Sequence, residues 1–434
     1  MKVLKQISIA VLLVFIMLLS ACSGRNENEK VIKFWAMGAE AEYLTKLVPE
    51  FEKLNPGIKI KIQQVPWTAA QEKLVTAFAS DNTPDACQLG NTWVPQFAAL
   101  VAIIPLDEFI TTSQKINNEN YFTGIWETNV LDKKVYGIPW YVDTRIMFYR
   151  KDVFEKAGYK NPPKTWAELL DLSKKIKAMH PKEEKYAIYL PTNEWAPFVM
   201  FGMEAGSSLL KDDNTRGNFS GKEFREAFKY AIDFHRQNLA PIGISQVTNV
   251  YQAFADEYFS IYISGPWNIP EFKKWMTGNL ADKWMTAPMP GYSNDYPGVS
   301  LAGGSSLVIF KNSKHKKEVW KFFEYLSQAH TQIEFYKLLN NLPSVKEAWD
   351  NPIFRDDPYM QAFYAQFTNV RATPKIPEWE QIAFSKVQQY AELAARNVMT
   401  VEQALKNLDN DVDRILEKRR WLVEDKKKAE SNFK

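Results

Sequence analysis

The chain has 434 residues, 46% of them hydrophobic, and its 54 basic and 51 acidic side chains give a net charge of +3. A nearly neutral chain lacks the concentrated positive charge that nucleic-acid binding needs, which excludes that class of partner. With only two cysteines, the chain has no framework of disulfides, so stability must come from core burial. A length of 434 residues predicts two domains, because single cores seldom grow so large.

The first residues have the pattern of a secretory signal. Lys2 and Lys5 precede an almost uninterrupted apolar run over 7–19, and small residues follow it. An apolar run of roughly 7–15 residues is too short to cross a bilayer as a helix, which needs about 20. We therefore expect a signal peptide over 1–21, whose removal lowers the net charge from +3 to +1 because two lysines are lost. Residues 22–30 then have the composition of a flexible tether.

Strand and helix patterns alternate at the start of the mature chain. Residues 31–35 are strand-like, and apolar residues at helical spacing then continue to Asn55. Residues 58–62 alternate between isoleucine and lysine, and a second helix is predicted over 69–79. This order predicts βαβ units with a mainly parallel sheet. Cys87 follows in an apolar stretch and is expected to be a buried thiol.

Similar patterns continue to the C-terminus. Thr165 and Thr400 each begin a predicted helix, with a glutamate or glutamine three residues later that favours a capping box. Strands are predicted over 259–263 and 306–310, and the C-terminal quarter of the chain is rich in helical patterns. Three tryptophans are expected to be packing residues: Trp166, Trp320 and Trp421.

Open α/β sheets bind ligands beyond the carboxyl ends of their strands, so the segments after each predicted strand are candidates for a site. The chain has 14 tryptophans, and most of these segments contain one. Tryptophan has a flat face that stacks well on apolar ligand surfaces. The segments are 35–40, 64–68, 88–93, 140–145, 264–268 and 302–306.

Motifs of the common enzyme classes and metal centres are absent from the sequence. The four histidines form no His-Glu-x-x-His pattern and no cysteine pair is available, so neither a metal nor a cofactor is expected. The sequence contains no phosphate loop, no dinucleotide-binding glycine pattern and no nucleophile elbow. A glycosidase with two carboxylates carries no local signature, and this enzyme class stays open as an alternative.

The end of the signal sequence, Leu19-Ser20-Ala21-Cys22, resembles the lipobox of bacterial lipoproteins. The resemblance implies that Cys22 is lipidated and becomes the first residue of the mature protein. A membrane anchor of several acyl chains would then hold the chain at the outer face of the bacterial cell membrane.

Several stretches of the mature chain, taken in order, resemble the large solute-binding proteins of carbohydrate ABC importers, the group that contains maltose- and trehalose-binding proteins. The stretches are IKFW at 32–35, NPG at 55–57, TPDA at 83–86, QLGNTW at 88–93, YGIP at 136–139, VDTR at 142–145, YRKD at 149–152, GPW at 265–267, AGGS at 302–305, KFFEYLS at 321–327 and NLP at 341–343. The resemblance implies the α/β periplasmic-binding-protein fold, in which two lobes joined by a multi-strand hinge close on a ligand in the cleft between them.

The resemblance also implies the domain organisation. Lobe 1 is expected over 31–140 and 290–343, and lobe 2 over 145–287 and 350–434. The chain is expected to cross between the lobes three times, near 138–146, 286–300 and 341–350.

The function that the resemblance implies is that of an anchored extracytoplasmic receptor. It would bind a sugar, either a di- or an oligosaccharide, and deliver it to the permease subunits of an ABC importer without catalysis. We expect a monomer. Two alternatives stay open: a surface-anchored glycoside hydrolase, and a sugar receptor that feeds a sensor kinase.

A sugar-binding site needs flat aromatic rings for the C–H faces of the sugar and polar groups for its hydroxyls. The resemblance and the positions after strands give these expected ligand-binding residues: Glu40, Trp67, Asp85, Thr92, Trp93, Asp143, Arg145, Trp195, Trp267, Gly304, Ser305, Arg371 and Trp379. Structural roles are open for some of them. Asp85 could cap a helix or turn, Trp93 could fill the core, and an acid and a base two residues apart on a strand, as at 143 and 145, could simply pair.

Overall fold

The computed structural model describes residues 29–243, 247–293 and 296–432. The predicted signal peptide, Cys22 and most of the predicted tether lie outside the described residues. Within these ranges, no helix has both the length and the apolar character that crossing a membrane requires.

Two large sheets contain most of the strands. Their strands are, in chain order, β1 (Lys30–Met37), β2 (Ile58–Val65), β3 (Ala86–Gly90), β4 (Ile138–Asp143), β5 (Ile146–Arg150), β6 (Tyr186–Tyr189), β7 (Phe259–Ser264), β8 (Trp284–Ala287), β9 (Gly303–Ile309) and β10 (Leu342–Pro343). Shorter strands pair Val130–Leu131 with Lys134–Val135, Leu210–Lys211 with Arg216–Gly217, and Ser300–Leu301 with Val370–Arg371.

Helices cover both sheets and dominate the C-terminal quarter, as predicted. The longer ones are α1 (Gly38–Leu54), α2 (Trp67–Ala79), α3 (Trp166–Met179), α4 (Ala196–Glu204), α5 (Lys222–Arg236), α6 (Asn268–Trp275), α7 (Lys316–Leu326), α8 (Ala329–Leu339), α9 (Pro358–Gln366), α10 (Gln388–Ala395), α11 (Val401–Ile415) and α12 (Glu417–Asn432). Shorter helical segments are Val94–Ala99, Asp107–Thr112, Thr123–Glu127, Lys151–Lys156, Val250–Ala255, Pro352–Arg355 and Trp379–Gln381, and Ile382–Val387 is π-helical. Turns of 3-10 helix span Asn91–Trp93, Asn118–Asn120, Gly278–Leu280, Lys346–Asp350 and Phe367–Asn369.

The predicted order of strand, helix, strand and helix at the start of the mature chain is confirmed. Strands β1 and β2 pair in parallel, and the isoleucines at 58 and 60 are buried in the core beside α1 while the lysines point to solvent. Helix α2 begins at Trp67, two residues before its predicted start. Pro66 precedes it and has no backbone N–H for a sheet, so the strand ends there and the helix follows at once.

The two predicted helix caps behave differently. Thr400 forms a complete capping box with Gln403, since each side chain accepts a hydrogen bond from the other residue's backbone N–H at 3.1 Å. Thr165 Oγ1 accepts from the N–H of Glu168 at 3.2 Å, but the box is not completed. The Glu168 carboxylate instead accepts from the backbone N–H of Lys164 at 2.6 Å, one residue before the expected partner.

The first sheet has the strand order β10-β4-β9-β3-β1-β2. Strand β1 pairs in parallel with β2 and β3, whereas β9 runs antiparallel to β3 and β4, and β10 antiparallel to β4. The predicted mainly parallel sheet is therefore wrong: the sheet is mixed. Strand β9 reaches it from the second sheet rather than through a βαβ crossover, so its direction does not follow from the pattern of the early strands. It also begins three residues before its predicted start at 306.

The second sheet has the order β8-β5-β7-β6 and is also mixed. Strand β7, predicted over 259–263, extends to Ser264, runs antiparallel to β5 and parallel to β6. Strand β8 pairs antiparallel with the other edge of β5. Each sheet thus has its own set of neighbouring strands, which makes two α/β lobes.

Aromatic residues fill the core of each lobe. Trp166 and Trp320 are buried, as predicted for packing residues. Cys87 is also buried, as predicted, and burial raises the pKa of its thiol. The same prediction for Trp421 is wrong, because this side chain lies on α12 near the C-terminus and is 62% exposed.

The chain passes between the two sheets where strands end. Only Thr144 and Arg145 separate β4 in the first sheet from β5 in the second. The chain returns between β8 and β9, over residues 288–302, and leaves again after β10 for α9, whose Tyr359 ring stacks on Trp284 of the second sheet at 4.1 Å. These passages overlap or adjoin the predicted crossings, while the residue boundaries of the lobes stay a prediction.

Candidate functional site

A cavity of about 350 Å³ lies between the two lobes. Its walls come from the ends of β3 and β4, the start of β9, the residue before α4 and the helical segments around residue 380. We call this cavity the cleft. It is lined by Trp67, Gly90, Asn91, Thr92, Trp93, Tyr141, Asp143, Arg145, Trp195, Leu301, Ala302, Gly303, Gly304, Ser305, Thr373, Glu380 and Phe384.

Most of the expected ligand-binding residues lie together in the cleft. Those that line it are Trp67, Thr92, Trp93, Asp143, Arg145, Trp195, Gly304 and Ser305. Those that do not are Glu40, Asp85, Trp267, Arg371 and Trp379. Ligand contact by any of them stays a prediction.

Two pairs of aromatic rings stand on the walls of the cleft. The first lobe supplies Trp67 and Trp93, whose rings meet edge to face at 5.5 Å between centroids. The second pair is Trp195 and Phe384, 5.7 Å apart. Phe384 is 55% exposed and stands on the π-helical segment Ile382–Val387. Each pair offers a flat apolar surface to a bound molecule.

Arg145 is the centre of a polar cluster on the cleft wall. Its Nη1 donates to Asp143 Oδ1 at 3.1 Å and its Nη2 donates to Glu194 Oε1 at 3.2 Å. The Trp267 ring covers the guanidinium, with 4.6 Å between Cζ and the ring centroid. The buried Nε makes no hydrogen bond to the described residues. The sequence left open whether Asp143 and Arg145 simply pair with each other. They do pair, and both also line the cleft.

The Asp143 carboxyl is held in a partly dehydrated position. Its burial raises the pKa above the ordinary value for aspartate, and the charge and hydrogen bond of Arg145 oppose that shift. The negative charge of Glu194 adds to the rise in the pKa.

Glycines at the start of β9 bring backbone close to these groups. A Cβ at Gly303 would lie 2.2 Å from Asp143 Oδ1, and one at Gly304 would lie 2.3 Å from the carbonyl oxygen of Tyr141. Gly304 also has a φ of +125°, which residues with side chains rarely adopt. Glycine at 303 therefore leaves room for the Asp143 carboxylate, and glycine at 304 leaves room for the β4 backbone.

A buried hydrogen-bond network supports the wall formed by Tyr141 and Ser305. Gln88 is fully buried, and its Oε1 accepts from the N–H of Met37 at 2.9 Å. Its Nε2 donates to the Tyr141 hydroxyl at 3.0 Å and to Ser305 Oγ at 3.1 Å. The Tyr141 hydroxyl in turn donates to Glu40 Oε1 at 2.8 Å. Glu40 thus acts on the cleft through Tyr141 rather than by lining it.

The other expected residues outside the cleft have structural partners. Asp85 accepts from the N–H of Lys33 at 2.9 Å and from Ser313 Oγ at 2.7 Å. Arg371 donates to the carbonyl oxygen of Met203 at 3.1 Å. Trp379 is fully buried behind Trp195, with 6.1 Å between the ring centroids.

Trp267, the last of these five residues, is 47% exposed. It covers Arg145 from outside the cavity. A Cβ at Gly265 would lie 2.2 Å from the indole, so the Gly-Pro-Trp turn allows the ring to fold back over the chain. Trp140, which lies in one of the segments after strands, is buried instead and stacks on Phe335 at 4.7 Å.

Several residues of the site were not expected from the sequence. Glu380 lines the cleft; its burial raises the pKa of the carboxyl, and a hydrogen bond with Thr92 opposes the shift. Tyr141 also lines the cleft, and a signal for it existed, because residues two apart on a strand share a face with Asp143. For Glu194 and Phe384 the sequence offers no comparable signal.

The described residues contain no group of three or more histidine, cysteine, aspartate and glutamate side chains that could hold a metal ion. The cleft therefore offers aromatic faces, hydroxyl and amide groups, and one ion-paired cluster. Such a combination can bind a polyhydroxylated molecule by stacking and directional hydrogen bonds.

Comparisons with known proteins agree with this geometry. A family model described as "Bacterial extracellular solute-binding protein" matches residues 38–333. The structure of the sugar-binding protein MalE from Xanthomonas citri is 43% identical, with a TM-score of 0.88, and the match covers 91% of this chain and 99% of that one. An ABC transporter solute-binding protein from Thermotoga lettingae, solved with α-D-tagatose, is 28% identical, with a TM-score of 0.71, over 89% of this chain and 100% of that one. The diacetylchitobiose-binding protein DasA of Streptomyces coelicolor is 26% identical over 402 residues, which are 88% of this chain and 90% of that protein.

The family match spans more than half of the chain, and the fold corresponds to that of solved relatives. These matches are to binding proteins rather than enzymes. The chain belongs to the bacterial extracellular solute-binding proteins and has the two-lobe fold of their sugar-binding members, with a hinge of several strands and a ligand cleft between the lobes.

Proposed function

We propose that the cleft binds a neutral oligosaccharide of at least two rings and that the protein delivers it to an ABC importer. The observation that carries the proposal is the pair of aromatic walls, Trp67 with Trp93 and Trp195 with Phe384, in one cavity of about 350 Å³. A cavity of this size is within the usual range of small-molecule sites. Two separate stacking surfaces suit more than one sugar ring.

The charges of the cleft support a neutral ligand. Among the described residues that line it, Arg145 is the single cation, and two carboxylates already hold its guanidinium. A phosphorylated ligand would need several uncommitted basic groups. The acceptors and donors around Asp143, Asn91 and Ser305 suit hydroxyl groups. The ligands named for MalE and DasA, a sugar and diacetylchitobiose, are consistent with the same class.

The protein would bind its ligand without transforming it. A glycosidase uses one carboxyl group as an acid and a second as a base or nucleophile beside the scissile bond. In the cleft, Asp143 is committed to Arg145, and Glu380 is committed to Thr92. Binding with hinge closure requires no such pair.

A thermal-shift screen of the full chain, purified in detergent, tests the proposal. The probes are neutral mono- and oligosaccharides, sugar phosphates and amino acids. A ligand at 100 times its dissociation constant should stabilise the folded state by about 2.7 kcal/mol. We expect one oligosaccharide to raise the unfolding midpoint and to remain intact by chromatography.

A matched pair of variants tests whether the oligosaccharide binds in the cleft. Trp93→Ala should lower the affinity for that oligosaccharide, whereas Trp421→Ala, which removes an exposed tryptophan far along the chain, should leave it unchanged. A shift produced only by sugar phosphates or amino acids would contradict the neutral-sugar assignment. Consumption of the sugar would contradict binding without catalysis and direct attention to Asp143 and Glu380.

The proposal includes attachment to the outer face of the cell membrane through a lipidated Cys22. It rests on the resemblance of residues 19–22 to a lipobox after an apolar run. Cys22→Ala should remove the protein from the lipid-labelled membrane fraction of cells fed a radioactive fatty acid. Cys87→Ala, which changes the other cysteine, should leave the label in place. Loss of label in both variants, or in neither, would contradict the anchor.

A further inference from the structure

A second cavity, of about 400 Å³, lies on the first lobe and shares no lining residue with the cleft. It lies between the middle parts of β1 and β2, helix α2 and the turn before β3. We call it the lysine pocket. Its lining residues are Lys33, Trp35, Lys61, Gln63, Lys73, Asn82, Thr83 and Pro84.

The charged side chains that line the lysine pocket are all positive. Lys33, Lys61 and Lys73 all line it, no carboxylate lines it, and none of the three forms an ion pair within the part of the chain that the structure describes. The neighbouring acid Asp85 does not line the pocket, and its carboxylate accepts hydrogen bonds from the backbone N–H of Lys33 and from Ser313 Oγ.

Two of the lysines are direct neighbours across the sheet. Lys33 and Lys61 are register partners in the parallel pair of β1 and β2. Like charges opposite each other on adjacent strands destabilise a sheet. Lysine on an edge strand protects it from pairing with other chains, which accounts for Lys61 because β2 is the edge of the sheet. It does not account for Lys33, because β1 lies between β2 and β3.

The rest of the pocket suits an anion that carries an organic group. The Trp35 ring forms part of the lining, and Lys73 Nζ lies 5.0 Å from its centroid. Gln63, Asn82 and Thr83 add amide and hydroxyl groups that can donate hydrogen bonds to oxygen. Ammonium groups bind phosphate oxygens as point charges. Trp35 is only 8% exposed, so the part of its ring that lines the pocket can contact just a few carbon atoms next to the phosphate.

We infer that the lysine pocket binds a phosphate ester, supplied either by a soluble phosphate or by the headgroup of an anionic phospholipid. The position of the pocket allows contact with a phospholipid headgroup. Lys33 follows Cys22 by eleven residues, so an extended chain would span at most about 40 Å between a lipid anchor at Cys22 and the pocket. The concave shape favours a small group over the flat surface of a partner protein.

The test is a titration of the full chain in detergent, followed by phosphorus NMR line broadening of each probe. The probes are glycerol 3-phosphate and the short-chain lipids dihexanoyl phosphatidylglycerol and dihexanoyl phosphatidylcholine. The test variant is Lys33→Gln with Lys61→Gln. The control is Lys317→Gln with Lys321→Gln, two exposed lysines one turn apart on α7 that form no ion pair among the described residues. Both double variants remove the same charge.

We expect at least one of the two anionic probes to bind the native chain and the control alike, and to bind the Lys33/Lys61 variant at least tenfold more weakly. Retention of binding by Lys33→Arg with Lys61→Arg would support recognition of charge. Tighter binding of phosphatidylglycerol than of glycerol 3-phosphate by tenfold or more assigns the pocket to a lipid headgroup; equal binding assigns it to a soluble phosphate. Absence of binding to the native chain, or equal loss in both glutamine variants, would overturn the inference.

Discussion

The Arg145 guanidinium lies 4.6 Å beneath the Trp267 ring, so the cation that faces the cleft is fixed from outside by an aromatic side chain. Asp143 and Glu194 fix the same group within its own plane. The three contacts leave Arg145 few alternative positions, although it has a long side chain with many rotamers.

Trp267→Ala should weaken oligosaccharide binding about two- to fivefold, because cation–π contacts at exposed sites are worth about 0.5–1 kcal/mol. Isothermal titration calorimetry with the sugar identified by the thermal screen measures the change. Trp421→Ala is the matched control, since it removes an exposed tryptophan that does not line the cleft. Equal affinities of Trp267→Ala and the native chain would show that Arg145 is fixed without the ring.

Gly304→Ala should destabilise the protein by about 2 kcal/mol or more and reduce sugar affinity. Gly304 has a φ of +125°, and a Cβ there would overlap the Tyr141 carbonyl oxygen, so the variant suffers both backbone strain and a clash. Gly158→Ala is the control: its φ is +85°, but a Cβ there meets nothing within 4 Å. It should lose only about 1 kcal/mol and keep its affinity. Urea unfolding and calorimetry compare the two variants; equal losses of stability would contradict the close approach of β9 to β4.

Residues that directly follow a strand were the easiest to locate from the sequence. Strand ends are visible as a change of pattern, and the side chains that come next emerge at one edge of the sheet. Thr92 and Trp93 follow β3, Asp143 ends β4 and Arg145 follows it, and all four lie in the cleft. Trp140 belongs to the same segment, but its side chain is buried, whereas that of Tyr141 lines the cleft. Knowing only that a segment ends a strand does not show which of its side chains face the cleft.

Helical segments of the second lobe were harder to assign. Trp379 was expected in the cleft, yet it is buried, and Glu380 and Phe384 face the cavity in its place. Neighbouring residues on a helix point in different directions, and the π-helical turn at 382–387 changes the spacing that would identify the inner face. The pairing of β9 with β4 could not be predicted from the sequence either, because it depends on how the chain returns from the other lobe.

Glu380→Gln should stabilise the unliganded protein more at pH 7 than at pH 4. Burial raises the pKa of Glu380 in the folded state above its unfolded value of about 4.3, so the folded state holds the proton more tightly. The free energy of unfolding of the native chain therefore falls as pH rises through the interval between these two values. Glutamine does not titrate, so the free energy of unfolding of the variant does not decrease in this way as pH rises.

Urea unfolding at both pH values measures this difference, and the contribution of Asp143 cancels because both proteins contain it. Glu424→Gln, a change at an exposed carboxylate on α12, is the control and should show no such dependence on pH. A stabilisation by Glu380→Gln that is equal at pH 4 and pH 7 would show that the carboxyl has an ordinary pKa in the folded state.

Gln88→Leu should lower the free energy of unfolding by about 1–3 kcal/mol, because it leaves buried polar groups without partners. The Met37 N–H, the Tyr141 hydroxyl and Ser305 Oγ all depend on this one amide. Gln114→Leu makes the same chemical change at an exposed position and should have little effect. Urea unfolding measures both variants, and an unchanged stability of Gln88→Leu would contradict the network.

A double-mutant cycle then tests whether the network acts as a unit behind the cleft. Tyr141→Phe removes the hydroxyl that accepts from Gln88 and donates to Glu40. Once Gln88 is leucine, that hydroxyl has already lost one partner, so removing it should cost less than it does in the native chain. We expect the combined loss of stability to fall short of the sum of the single losses by at least about 0.5 kcal/mol, as found for residues in one network. Strict additivity would mean that the two side chains stabilise the first lobe independently and do not form one network.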